Sequence, residues 1–175
     1  MRITSILPVI PEKLFRVVYN DSQVNILEIL QEQWTDSEWL REFFKKFKKD
    51  LDALGEPFTI NEAIRQTIRD ADNLFETLLN HNGNNLSDIF KPLDNRETET
   101  TNNQAQKGRI DRPRTWLRLY AVHFEGRYII TGGAIKLTAK MDNRPHLKDE
   151  LYKLKLLSNK LNLDIESRTL GYLDI

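Results

Sequence analysis

The run Leu14-Phe15-Arg16-Val17-Val18-Tyr19 is β-branched and aromatic, and Asn20-Asp21 closes it, so the pattern predicts a strand. Helical spacing follows. Ser22 can cap a helix in which Val24, Leu27, Leu30 and Trp34 share a face. Thr35-Asp36-Ser37-Glu38 has the form of a capping box for a second helix, with Leu40, Phe43, Phe44, Phe47, Leu51 and Leu54 on one side and Gly55 at its end. A further box, Thr59-Ile60-Asn61-Glu62, opens a third helix through Ile64, Thr67, Ile68, Ala71, Leu74, Phe75 and Leu78, stopping near Asn82-Gly83. These Phe and Leu stripes read as core.

The period then changes. Asp94 to Gly108 has no large apolar side chain, which predicts a mobile polar loop at about 94–110. Beyond it, Trp116–Phe124 and Arg127–Lys136 are β-prone runs joined by Glu125-Gly126, the pattern of an antiparallel hairpin. Gly132-Gly133 reads as a break in the second run, marking a bulge or a close backbone approach. Pro145 suits the first turn of a C-terminal helix, with Leu147, Leu151, Leu154, Leu157 and Leu161 as its buried stripe. The tail from Leu163 to Ile175 adds a short strand or wraps the core. A two-stranded hairpin is marginal alone, so it must pair with the first strand or pack on helices. The expectation is one α+β domain spanning 1–175.

Strand alternation sorts the first hairpin strand. Leu117, Leu119, Ala121 and His123 take the core side. Trp116, Arg118, Tyr120, Val122 and Phe124 take the other, where an arginine, a phenol and an indole can meet a phosphate and a base.

Composition narrows the chemistry. The chain lacks cysteine, which excludes disulfides, thiolate metal sites and cysteine nucleophiles. The N-terminal apolar run is short and broken by Pro8 and Pro11, so neither a signal peptide nor a membrane span is expected, and the reading is cytoplasmic. The net charge of zero conceals a segregation: residues 1–90 hold ten Lys/Arg against fifteen Asp/Glu, and residues 91–175 hold sixteen against eleven. From Lys107 to Arg144 nine cations face only Asp111, Glu125 and Asp142. That excess suits a phosphate-binding surface.

No phosphate-binding glycine loop, HExxH or GxSxG motif occurs, and His81, His123 and His146 stand apart. His81 suits a helix end, His123 a packed or edge position, and His146 is a lesser candidate for proton transfer. Metal and other cofactors are not expected. A lysine serving as base must have its ammonium destabilised, which neighbouring arginines do.

Arg118-Leu119-Tyr120, a short turn, then Arg127-Tyr-Ile-Ile-Thr-Gly-Gly-Ala-Ile-Lys136-Leu-Thr138-Ala-Lys140 and a Pro-led helix, resembles the C-terminal half of the RelE/HigB-like bacterial toxins. In that family an R-x-Y strand precedes a strand ending in basic residues and a helix. Here Gly132-Gly133-Ala134-Ile135 replaces the more usual aromatic before the lysine, and a third helix and the polar loop are added.

The resemblance implies a small antiparallel sheet against helices, with cleavage of mRNA, on the ribosome and without a metal, by the toxin of a toxin–antitoxin pair. It implies a helix-turn-helix antitoxin as partner and no membrane. By position, Arg118, Tyr120, Lys136 and Lys140 would be catalytic, with Arg112, Arg114, Trp116, Arg127 and Arg144 holding RNA. Attack of a 2′-hydroxyl on its own phosphorus needs a base, charge stabilisation and an acid, all available from such side chains. A non-catalytic nucleic-acid-binding module and a protein-interaction domain stay open as alternatives.

Overall fold

The structure, a computed structural model, describes residues 1–55, 57–80, 83–84, 86, 90–92, 115–138, 144–161 and 170–173. His81, the polar loop at about 94–110, Arg112, Arg114 and Lys140 lie outside the described residues.

Strands β1 (Ile3–Ile10) and β2 (Leu14–Tyr19) form an antiparallel hairpin. Helices α1 (Ile26–Thr35), α2 (Ser37–Lys46), α3 (Lys48–Asp52) and α4 (Ile60–Asn80) follow. Then come β3 (Phe90–Pro92), β4 (Leu117–Phe124), β5 (Arg127–Ile135), α5 (Pro145–Lys160) and β6 (Leu170–Leu173). The strands lie in the order β1-β2-β5-β4-β6-β3. All neighbours are antiparallel except β2 and β5, which pair in parallel through Leu14–Arg16 and Tyr128–Ile130. The chain is therefore α+β with a mixed sheet, and the N-terminal hairpin and the β4–β5 hairpin share it.

Local chemistry accounts for most boundaries. Thr59 and Glu62 form the expected reciprocal cap of α4, with Glu62 Oε2 accepting from the Thr59 amide at 2.8 Å and Thr59 Oγ1 from the Glu62 amide at 3.2 Å. Glu125 and Gly126 have φ of 48° and 75°, the left-handed pair that a two-residue hairpin turn requires. Pro145 opens α5 behind Arg144. Several expectations need correction. The first helix starts at Asn25, not Ser22, because Asn25 and Glu28 make a full capping box that leaves Val24 outside and exposed. The second helix breaks at Phe47, whose ring sits 4.7 Å from Phe43 and 4.8 Å from His146. The third concerns β1, to which sequence pattern assigned no element; Pro8 is tolerated there because one side of an edge strand makes no ladder bonds.

The strand does not break at Gly132-Gly133. It continues to Ile135, with a bulge between the Tyr120–Gly132 and Ala121–Ile130 pairs that leaves Thr131 unmatched. The close approach is real and two-sided. A Cβ on Gly132 would lie 1.9 Å from Glu150 of α5, and one on Gly133 would lie 2.8 Å from Trp34 and 2.9 Å from Leu30 of α1. Adjacent strand residues point to opposite faces, so α1 covers one face of the sheet and α5 the other. The expectation of an open hairpin face is thereby overturned. β4 and β5 are central strands buried on both sides, as their near-continuous apolar runs allow.

Candidate functional site

Pairing of Leu117 with Ile135 brings the start of β4 to the end of β5, and the Lys136 amide donates to the Trp116 carbonyl at 2.7 Å. Arg118 and Lys136 therefore stand at the same end of the sheet. The N-terminus of α5 closes on this end, because a ring nitrogen of His146, Nε2, lies 3.0 Å from the Ile135 carbonyl oxygen. The junction of α2 and α3 completes it. The Arg144 guanidinium grips both carboxylate oxygens of Asp50, with Nε at 2.6 Å from Oδ2. Arg118 and Lys136 thus stand at one end of the sheet, where α5 brings Arg144 onto Asp50 and Lys46 lies within electrostatic reach of His146. The first turn of α5 adds no acidic residue and no side-chain cap, so the positive end of its macrodipole is not neutralised from within the helix.

The electrostatics follow from these contacts. Hydrogen bonding to Arg144 holds the Asp50 carboxyl below its ordinary range, and the same contact pushes the guanidinium up. Burial lowers the affinity of His146 for a second proton, and Lys46 and Arg144 add to the effect against the Ile135 carbonyl and Asp50. A neutral imidazole facing a carbonyl through Nε2 carries its proton there. Nδ1 then keeps its lone pair, is buried, and has no hydrogen-bond partner. The ring packs edge-on against Phe43 at 5.3 Å.

The other residues expected at the site divide. Arg118 is half-buried, and its guanidinium donates to the Thr115 and Leu117 carbonyls at 3.0 and 2.8 Å, bracing the entry to β4. Tyr120 does not line a surface: it is 1% exposed, opposite Gly132 on the side that α5 covers. Trp116 is equally enclosed, edge-on to Phe44 and Phe58, and its indole N–H donates to Thr67 Oγ1 of α4 at 2.9 Å. Strand alternation misplaced it because it precedes the first strand residue. Arg127 is exposed at the hairpin turn, nine residues from Lys136 and hence about 30 Å away along the strand.

Sequence reasoning missed Asp50, whose helical position resembles a solvated face, and undervalued His146. A cleft of about 510 Å³ beside α4 is lined, among the described residues, by Phe58, Arg65, Arg69 and others, none of them an expected site residue. Among the described residues no cluster of three metal-ligating side chains occurs, and no helix is long and apolar enough to cross a membrane.

The fold is α+β, and basic side chains stand at one end of its sheet. Comparison with family models, curated proteins and solved structures finds no match to the chain.

Proposed function

We propose that the chain binds the phosphodiester backbone of RNA at this pole. The observation that carries the reading is the convergence of Arg118 and Lys136 with the Arg144–His146 turn of α5 at one end of the sheet. Cations at a helix N-terminus suit an anionic backbone, and affinity of that kind falls steeply as salt rises. Trp116 and Tyr120 contribute to the packing behind the pole, so base stacking on them forms no part of the proposal.

One observation favours strand cleavage as a second reading, the activity that resemblance to the RelE/HigB-like toxins implies. The Arg144 guanidinium and the Lys46 ammonium stand beside His146, whose affinity for a second proton is lowered and whose buried Nδ1 must be uncovered before it can take a proton from RNA. A base that takes the 2′-hydroxyl proton and cations that stabilise the phosphorane are the two needs of metal-independent cleavage.

Filter binding of purified protein to single-stranded RNA across a salt series tests both readings. Lys136→Ala is expected to weaken binding across all sequences and to reduce the salt slope by about one. Lys155→Ala, on the exposed side of α5, is expected to change little. Product bearing a 2′,3′-cyclic phosphate, formed in chelator and lost in His146→Ala, selects the catalytic reading. Intact RNA with retained binding selects the binding module. No binding even at low salt sinks both.

A further inference from the structure

Helix α5 holds the pole in place and also carries the most deeply buried acid among the described side chains. Glu150 is 4% exposed, on the side of α5 that lies against β5. Its position falls inside the apolar stripe, between Leu147 and Leu154. One carboxylate oxygen accepts from Lys153 Nζ at 2.6 Å. The other, Oε2, is enclosed against Gly132 and makes no hydrogen bond of ordinary geometry, with the Gly133 amide a weak polar neighbour of the carboxylate. Only a glycine leaves room for it.

Among the described residues few groups answer this charge. Lys153 and Asp149 face it from its own helix with opposite signs. From β2 comes the Tyr19 phenol, which donates to the Thr131 carbonyl at the bulge and is itself kept protonated by burial and by Glu150. From β4 comes Tyr120, opposite Gly132. β5 presents its Gly132 and Gly133 backbone. An ionised carboxylate buried with one oxygen unsolvated is costly, whereas the protonated acid is far less so. Burial accordingly raises Glu150 from 4.5 to about 7, outweighing the lowering by Lys153 and by the Gly133 amide.

We propose that Glu150 is a positioning residue whose protonation seats α5 on the sheet, so that the RNA-binding pole is held closed in mildly acid solution and loosens in alkaline solution. Its consequence for RNA rests on the proposed function; the seating itself does not. Ionisation favours states in which α5 lifts and hydrates the carboxylate. That lifting carries Arg144 and His146 away from Asp50 and Ile135.

Hydrogen exchange of the α5 amides in the free protein tests the seating, with the intrinsic pH dependence of exchange divided out. With the group at about 7 in the seated helix and 4.5 in the lifted one, protection is expected to fall roughly tenfold between pH 6 and 8.5. Glu150→Gln is expected to abolish that fall. A ¹³C titration of the wild-type Glu150 carboxyl needs no variant, and its midpoint is expected near neutrality. A midpoint below 5, pH-invariant protection in wild type, or an unchanged fall in Glu150→Gln overturns the proposal. RNA affinity at the two pH values reads the consequence: it should weaken in wild type and hold steady in Glu150→Gln, and equal weakening in both overturns the link. Absence of any RNA binding alongside the expected exchange defeats the functional reading alone.

Discussion

Gly132 and Asp50 show how much a single position depends on what is packed against it. Gly132 has no need of left-handed backbone; it is there because Glu150 occupies the space of a side chain. Gly132→Ala is expected to push α5 off β5 and to cost about 1–3 kcal/mol in urea unfolding, the range for overpacking. Gly126→Ala leaves open space around the new methyl but strains a φ of 75°, so its cost is expected to stay near 1 kcal/mol. Asp50 acts through charge. Because Arg144 lowers its folded-state pKa below the unfolded value, the contact stabilises the protein at neutral pH and is lost as pH falls through the lowered value. An Asp50→Asn variant should therefore lose part of the acid limb of the stability profile, as read by thermal melts from pH 6 to 3. An acid limb identical to wild type would show that the ion pair contributes nothing.

At the scale of elements, the entry to the hairpin is tied to α4 by a polar bond within an aromatic cluster. The Trp116 indole donates to Thr67 Oγ1, and the Thr67 hydroxyl donates in turn to the Ala63 carbonyl at 2.7 Å. Trp116→Phe is expected to leave most of the ring packing and to cost about 1–3 kcal/mol, since a buried hydroxyl loses its donor. Trp116→Ala should cost about 3–5 kcal/mol. If chemical denaturation gives equal values for the two, the hydrogen bond has no separate role. The helices and the hairpin were legible because their signals are local: Thr59 and Glu62 cap each other within four residues, and Glu125-Gly126 suits its turn by itself. The short strand β3 carries no such signal, and the pattern of the tail leaves open a short strand, which β6 supplies, or a wrap over the core. Both exist as strands through pairing with β4 and with each other.

On the scale of the whole molecule, the parallel ladder between β2 and β5 joins residues more than a hundred positions apart. Loop-closure entropy must be overcome before that pairing contributes, so folding is expected on the millisecond-to-second scale. Tryptophan fluorescence and far-ultraviolet circular dichroism should report one coincident unfolding transition, because both hairpins share a sheet. Two separated transitions would divide the chain into independent units.

The sequence by itself determined the α+β class, the antiparallel hairpin, the helical stripes and the concentration of cations in the second half. Each of these depends on neighbours within a few positions, through capping, turn chemistry and side-chain period. Only the tertiary structure decided which faces are open. Alternation along β4 separates two sides but cannot say that both are covered, and α5 reaches the second side through residues far along the chain. That is why Trp116 and Tyr120 moved from a surface to the interior, why Arg127 parted from Lys136, and why Asp50, His146 and Glu150 gained their roles. Burial and charge pairing are set by which elements meet, and that information is not local to any one of them.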